Sequence, residues 1–246
     1  LFMVAAAGVA IVLLGKGFTI PELFLVTAIL NALVAAYIFS LVPEFLMRFL
    51  AWILIQTVHR VKVVDGERIP AEGAAVLVCN HVSYVDAIVI MAASPRPIRF
   101  VMDHRIFKMP LMGWIFRTAK AIPIAPAKED PFLMEKAFID IAQALHEGEL
   151  VCIFPEGKLT RTGQISEFKG GIAKIVARSK VPVIPLALRG LWGHLLSHRN
   201  GHLFERAFKA GLRSRLSLAV GMPVPPESAT PELLQQKVQE LRGKWK

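Results

Sequence analysis

The first part of the chain is dominated by long apolar runs with few charges. Residues 1–14 form an uncharged run that is too short on its own to span a bilayer. Residues 23–42 then give 20 residues without a charge. At about 1.5 Å per residue, a helix of that length matches the roughly 30 Å of a hydrocarbon core. The pattern predicts a transmembrane helix over about 23–42; the alternative is a helix buried in a soluble core.

The following apolar segment has a more mixed pattern. Residues 45–58 are apolar but are interrupted by Arg48 and Gln56, which is typical of an interfacial helix lying along a membrane. Arg48, Arg60 and Lys62 follow the predicted span closely. The positive-inside rule therefore places the downstream part of the chain on the cytoplasmic side.

After residue 58, short apolar runs alternate with amphipathic stretches. The runs are rich in β-branched residues, as strands are in a sheet covered on both faces. The predicted strands are Val61–Val64, Ala75–Cys79, Leu150–Phe154, Val183–Leu188 and Leu216–Val220. The sequence thus predicts an α/β fold, a layered and mostly parallel sheet flanked by helices, over residues 59–246. Residues 1–58 precede it as a hydrophobic membrane segment.

Two amphipathic helices are marked by residues that start and stop helices. Asp130 is placed to cap a helix over Pro131–His146, and Gly148 follows its end. A final helix is predicted to begin at Thr230-Pro231.

The net charge of +10, from 29 Lys and Arg against 19 Asp and Glu, indicates a surface that attracts phosphates. The hydrophobic fraction of 54% and the mean hydropathy of +0.50 favour lipid over nucleic acid as the phosphate-bearing partner, and no nucleic-acid-binding motif is present. Residues 103–120 mix aromatic and basic side chains, which suits a membrane-dipping element; the alternative is a core helix with a basic edge. A second basic stretch, a solvated or lipid-facing surface, contains Arg206, Lys209, Arg213 and Arg215.

The two cysteines, Cys79 and Cys152, both lie in apolar runs. Packing explains them as buried thiols in a reducing compartment, and the alternatives are a disulfide or a reactive site. No Cys/His spacing typical of a metal site occurs, so we expect no metal.

A histidine and an aspartate follow the strand Ala75–Cys79, in the segment from Asn80 to Asp86. On one helix, His81 and Asp86 would point about 140° apart, given about 100° per residue. They can meet only if His81 lies in a turn and Asp86 in the helix behind it. The carboxylate would then hold one imidazole nitrogen and leave the other free as a base. Alone, this spacing is also common by chance.

Two further polar motifs follow apolar segments. Phe154-Pro155-Glu156-Gly157-Lys158 ends a predicted strand and suits the binding of a polar head group, although an ordinary strand-to-loop turn has the same composition. A helix predicted over residues 172–177 begins after Phe168-Lys169-Gly170-Gly171. The backbone amides at a glycine-rich helix start can bind an anion; the alternative is a simple helix cap.

The three motifs together, in this order, resemble the glycerophospholipid acyltransferase family that includes 1-acylglycerol-3-phosphate acyltransferases. The family's His and Asp, five residues apart, match His81 and Asp86. Its Phe-Pro-Glu-Gly motif matches residues 154–157, its Phe-Lys-x-Gly element matches 168–171, and its Val-Pro-x-x-Pro block matches 181–185. The resemblance covers about residues 58–225.

Two family arginines are absent from this chain. Leu159 stands where an arginine often follows the Phe-Pro-Glu-Gly motif, and the second family motif reads Ala-Ile-Pro-Ile-Ala at residues 121–125. The basic residues that could compensate by position are Lys158, Arg161, Arg117 and Lys120. The sequence is most similar to the 2-acylglycerophosphoethanolamine acyltransferase branch, which often occurs fused behind a lysophospholipid transporter of the major facilitator type in bacterial inner membranes. The apolar start without a methionine fits a fragment of such a fusion.

The resemblance implies transfer of an acyl group from an acyl thioester to a free lysophospholipid hydroxyl, without a cofactor or metal. The co-substrate would be acyl-CoA or acyl carrier protein, and the acceptor lysophosphatidic acid or 2-acylglycerophosphoethanolamine. His81 would be the general base, steadied by Asp86. The residues implied on the substrate side are Asn80, Arg117, Phe154, Pro155, Glu156, Gly157, Lys158, Thr160, Arg161, Lys169 and Gly170.

Two other functions are compatible with the same residues. One is a membrane-anchored lipid-binding or transport-associated module without catalysis, which the intact His81 and Asp86 disfavour. The other is a hydrolase that cleaves the thioester and needs no lysolipid acceptor.

Overall fold

The computed structural model of this protein describes residues 2–41, 43–83, 85–192 and 214–244. Of the predicted basic stretch, Arg206, Lys209 and Arg213 lie outside them, and Arg215 lies in the strand Ser214–Val220. The chain divides into two compact units, Leu1–Leu46 and Met47–Lys246. The helices, in chain order, are α1 (Phe2–Gly15), α2 (Ile20–Leu41), α3 (Pro43–Val58), α4 (Asp86–Ala93), α5 (Pro110–Thr118), α6 (Pro131–His146), α7 (Gly171–Arg178) and α8 (Pro231–Arg242).

The first unit is built from α1 and α2. At 22 residues, α2 is about 33 Å long and contains residues 23–41 of the predicted span. It begins three residues before that span, since Pro21 suits a first helical turn. Within it, Ile20–Ile38 is long and apolar enough to cross a membrane, and none of its most apolar stretch is buried. That exposure argues against a helix buried in a soluble core. Membrane crossing itself stays a prediction.

From Met47 onward, α3 belongs to the second unit and has two apolar faces with different surroundings. Ala51 and Ile55 are buried against the core of the sheet, whereas Phe49 and Trp52 are about half exposed and stack on each other. The Arg48 guanidinium donates a hydrogen bond to the Ser94 carbonyl at 2.7 Å, just beyond the end of α4. One side of α3 is thus fixed to the domain while the other presents aromatic surface.

The second unit contains a seven-stranded sheet with the order β1-β7-β6-β2-β5-β3-β4. All neighbouring pairs are parallel except β6 and β7, which confirms the predicted α/β class. The strands are β1 (His59–Val64), β2 (Ala75–Cys79), β3 (Ile98–Asp103), β4 (Ile122–Ile124), β5 (Leu150–Ile153), β6 (Val183–Arg189) and β7 (Ser214–Val220).

Two strands, β3 and β4, were not predicted. In β3, Arg99 interrupts the apolar run and pairs with Glu149 beside the sheet. The strand β4 is only three residues long and contains a proline, which is rare inside strands. Predicted strand β5 ends one residue early because the chain turns away at Phe154-Pro155.

Helices cover both faces of the sheet, as predicted. One face packs α3 and α4 against residues such as Leu77 and Phe100. The other packs α6, α7 and α8 against Val76 and Val78. The predicted caps are present, since Asp130 accepts the Leu133 amide at 2.8 Å and Thr230 accepts the Leu233 amide at 3.2 Å.

Both cysteines are free and buried, in β2 and β5. Burial raises the pKa of the Cys79 and Cys152 thiols well above the usual range, so both are poor nucleophiles. The interpretation as packed thiols is confirmed.

The segment 103–120 combines features of both alternatives proposed for it. A 3-10 turn over His104–Lys108 leads into α5, and Phe107 and Phe116 pack partly against the core. Trp114, in contrast, is 58% exposed. The segment is therefore anchored in the domain and still presents an aromatic residue to its surroundings.

Candidate active site

The candidate site lies at the edge of the sheet where β2 and β5 end. These strands are parallel neighbours, so the turns that follow them, residues 80–86 and 154–170, leave the sheet at the same edge. Ligand sites of open α/β sheets occur at such edges.

The His81 and Asp86 side chains meet at this edge. Asp86 is the first residue of α4 and His81 lies in the turn before it, the arrangement that their spacing required. His81 Nδ1 is 2.9 Å from Asp86 Oδ2. The His81 side chain is 24% exposed and that of Asp86 is fully buried. The contact directs the Nδ1 proton to the carboxylate and leaves Nε2 to act as an acceptor.

The Asp86 carboxylate also organises the turn itself. Its Oδ2 accepts hydrogen bonds from the backbone amides of Val82 at 2.7 Å and Ser83 at 2.9 Å. Burial raises the pKa of Asp86, while the hydrogen bonds from His81, Ser83 and Val82 lower it. Asp86 thus holds both the imidazole and the backbone that carries it.

Phe154 supports the imidazole from its flat side. The two ring centroids are 4.2 Å apart with planes inclined by 18°. This stacking limits rotation of the imidazole about its side-chain bonds, and an aromatic face also favours a cationic partner.

Glu156 is buried beneath the same turn, with both carboxylate oxygens bonded to backbone amides. Its Oε1 accepts the His81 amide at 2.8 Å and its Oε2 accepts the Ser166 amide at 2.7 Å. Burial raises the pKa of Glu156, and these two backbone hydrogen bonds lower it. Glu156 therefore links the turn after β2 to the loop after β5.

Two other residues implied on the substrate side also have buried side chains bonded within the protein. The Asn80 amide exchanges two hydrogen bonds with the backbone of Leu188 in β6, at 2.8 and 3.1 Å. The Thr160 hydroxyl donates to the Gln164 carbonyl at 2.7 Å, and the Thr160 amide donates to the His81 carbonyl at 2.9 Å. Both residues stabilise the loops of the site.

Lys169 lies directly against Gly157. A Cβ added at Gly157 would come within 2.6 Å of Lys169 Nζ, and the φ of Gly157 is +64°, a conformation that favours glycine. The Lys169 backbone amide donates to the Pro155 carbonyl at 3.0 Å, and the next residue, Gly170, precedes the start of α7. The Lys169 side chain thus lies over the turn formed by the Phe-Pro-Glu-Gly motif.

A cavity of about 490 Å³ opens beside this turn. Lys158 and Lys169 contribute cationic groups to its wall, Glu167 and Glu232 contribute carboxylates, and part of Glu156 lines it. Arg161 is exposed on the neighbouring loop. Such a mixed lining suits a polar head group.

Arg117 is not among the residues that line this cavity. Its Nη1 donates instead to the Phe107 carbonyl at 3.0 Å, within the segment 103–120. Lys120 follows α5 in the same segment, with a φ of +50°.

Helix α8 contributes residues to the site that the sequence analysis missed. Gln235 Oε1 accepts the Phe168 amide at 3.0 Å, and Arg242 donates to the Gly163 carbonyl at 2.8 Å. These contacts fasten the loop after β5 from 67 and 79 residues away along the chain. No local pattern around Gln235 or Arg242 signals them.

Comparison with known proteins gives a family match. Residues 60–189 match the family model described as Acyltransferase. A chloroplastic 1-acyl-sn-glycerol-3-phosphate acyltransferase of Arabidopsis thaliana is 26% identical over 148 residues, 60% of this chain and 41% of that protein. The 1-acyl-sn-glycerol-3-phosphate acyltransferase of Bacillus subtilis is 28% identical over 196 residues, 75% of this chain and 89% of that protein. The chain spans about half the length of several such relatives.

A solved structure shares the fold. The 1-acyl-sn-glycerophosphate acyltransferase of Thermotoga maritima superposes with a TM-score of 0.62 at 20% identity. The match covers 82% of this chain and 81% of that one.

Proposed function

Because this chain belongs to the acyltransferase family, we propose that it transfers a fatty acyl group from a thioester to the free hydroxyl of a lysophospholipid. The observation that carries the proposal is the 2.9 Å contact between His81 Nδ1 and Asp86 Oδ2 at an accessible sheet edge. A carboxylate that fixes one imidazole nitrogen prepares the other for proton abstraction.

In the proposed reaction, His81 Nε2 takes the proton of the acceptor hydroxyl as its oxygen attacks the thioester carbonyl carbon. The carbon–oxygen bond forms, the carbon–sulfur bond breaks, and the imidazolium returns the proton to the leaving sulfur. Asp86 stabilises the imidazolium that exists between these steps. The acceptor hydroxyl is the nucleophile, so no covalent acyl-enzyme is required.

The acceptors we propose are lysophosphatidic acid and 2-acylglycerophosphoethanolamine, with acyl-CoA or acyl carrier protein as donor. Similar proteins are named 1-acyl-sn-glycerol-3-phosphate acyltransferases, which supports the first acceptor. The cations placed to meet the acceptor phosphate are Lys169, over Gly157, and Lys158 beside it. They stand near the position where Leu159 replaces a family arginine.

We further propose that the protein acts at a cytoplasmic membrane surface. The apolar helix α2 and the exposed aromatic face of α3 support membrane attachment. Arg48, Arg60 and Lys62 support the cytoplasmic side. Fusion to a transporter stays a prediction.

The test is acyl transfer by the full chain reconstituted in lipid vesicles. Both donors are combined with both acceptors, and products are identified by lipid mass spectrometry. The His81→Ala variant is expected to lose transfer by at least about 1000-fold, because the base is removed. The matched control is His146→Ala, which removes an exposed histidine at the end of α6 and is expected to keep full activity.

Other outcomes favour the alternative functions. Release of free fatty acid without an acceptor would indicate a hydrolase, and lysolipid binding without transfer from either donor would indicate a binding module. Retained transfer by a folded His81→Ala variant would refute the general-base proposal.

A further inference from the structure

We infer that Glu156 is a positioning residue for His81 and does not contact the acceptor head group. The inference rests on the proposed function, since it assigns a role within the same site. It concerns how the imidazole is held at the moment of proton transfer.

The backbone before and after His81 is unusually well anchored. Three consecutive amides, those of His81, Val82 and Ser83, donate to carboxylate oxygens: the first to Glu156 and the next two to Asp86. The His81 carbonyl accepts the Thr160 amide at 2.9 Å. Both polar groups of the His81 backbone are therefore fixed by the loop that contains Glu156 and Thr160.

Each oxygen of the Glu156 carboxylate accepts a backbone amide in these contacts. Its two oxygens bind amides that belong to different loops, His81 and Ser166, at 2.8 and 2.7 Å, and the residue is 1% exposed. Its geometry and charge both suit holding the turn.

The loop after β5, which contains both Glu156 and Ser166, is itself held in place by α8. Gln235 accepts the Phe168 amide, and Arg242 donates to both the Gly163 carbonyl and Gln164 Oε1. A support that is anchored to α8 is able to fix His81, whereas a mobile loop would not. Displacement of a reacting group by about 1 Å is able to reduce turnover by about 100-fold.

The first experiment compares Glu156→Gln and Glu156→Asp with Lys169→Met in the reconstituted full chain. Glutamine offers one acceptor oxygen for two amides, and aspartate keeps the charge but is too short to reach both. We expect both Glu156 variants to lower kcat by about 10- to 100-fold with the acceptor KM changed less than about threefold. Lys169→Met is expected to show the opposite split, a raised KM with kcat nearly unchanged. The exposed Glu147→Gln is the control.

The second experiment reads the position of the imidazole directly by NMR of histidine-labelled protein in detergent micelles. The His81 Nδ1 proton shared with Asp86 is expected to give a strongly downfield resonance that persists in Lys169→Met and is lost or shifted in both Glu156 variants. In the unmodified protein, the His81 amide is expected to exchange slowly with solvent, a measurement that does not depend on whether any variant folds.

The outcomes separate this inference from the proposed function. A raised acceptor KM with unchanged kcat in the Glu156 variants, an undisturbed imidazole resonance, or fast exchange of the His81 amide would each overturn the positioning role. Loss of transfer in His81→Ala alongside any of these results would leave the general-base proposal standing.

Discussion

The turn after β2 and the loop after β5 both position His81, but they hold different parts of that residue. Each contains a buried carboxylate that accepts backbone amides near His81. Asp86 lies five residues from His81 and holds its side chain, whereas Glu156 lies 75 residues away and holds its backbone. The first region carries the reacting pair, and the second carries its support and the cations. Chemistry and positioning are thus divided between adjacent strand ends.

The largest effect is expected from the first region, in Asp86→Asn. Asparagine keeps the shape but does not stabilise the imidazolium or enforce the tautomer, so kcat should fall by about 10³- to 10⁴-fold. Steady-state kinetics in vesicles measures it. A loss below tenfold would show that the two regions do not divide the work in this way.

The same variant should alter stability in a pH-dependent manner. Burial raises the pKa of Asp86 in the folded protein, so its contribution to stability is complete below its unfolded pKa and is lost as pH rises through the folded value. The melting temperature of Asp86→Asn, relative to the unmodified protein, should therefore be higher at about pH 7 than at about pH 4. An equal difference at both pH values would contradict this.

An intermediate effect is expected in the second region from Gly157→Ala. The new Cβ would lie 2.6 Å from Lys169 Nζ and would displace it. In addition, a φ of +64° is strained for alanine. We expect an acceptor KM raised about tenfold, as for loss of a charge-assisted contact, and a destabilisation of roughly 1–2 kcal/mol. Acceptor titrations and thermal unfolding measure the two effects.

Gly148→Ala is the matched control, since Gly148 has a similar φ of +81° and no heavy atom within 4 Å of an added Cβ. Equal effects of the two substitutions would mean that the Lys169 placement does not matter.

The smallest effect is expected where the regions touch, in Phe154→Leu. Loss of a ring–ring contact worth about 1 kcal/mol should lower kcat about fivefold. The matched control is Phe132→Leu, which alters a side chain that is 87% exposed at the start of α6. An unchanged kcat in Phe154→Leu would show that the stacking does not orient the imidazole.

The sequence could predict those features that depend on neighbours in the chain. The spacing of His81 and Asp86 restricts their meeting to one local geometry, a turn followed by a helix, and the structure has that geometry. The cap at Asp130 is equally local. The strand β3 was missed because Arg99 breaks its apolar run, although Glu149 compensates the charge across the sheet.

Long-range contacts left no comparable signal. The motif containing Glu156 marked its neighbourhood as functional, but nothing near it indicates that both oxygens bind backbone amides of distant residues. The Asn80 side chain likewise bonds to Leu188 in β6, and the Thr160 hydroxyl bonds to Gln164 in its own loop. Which side chain of a motif turns outward depends on the packing of the whole sheet edge.

Because α8 holds the loop after β5, the contacts that support the site can form only once α8 has been synthesised. Gln235 and Arg242 are synthesised 67 and 79 residues after their partners Phe168 and Gly163, so a nascent chain that already contains every motif still lacks two of the bonds that steady them. A protease that cuts near the exposed Met222 would separate the same helix from the loop. Such a cut would impair turnover while every motif stays intact.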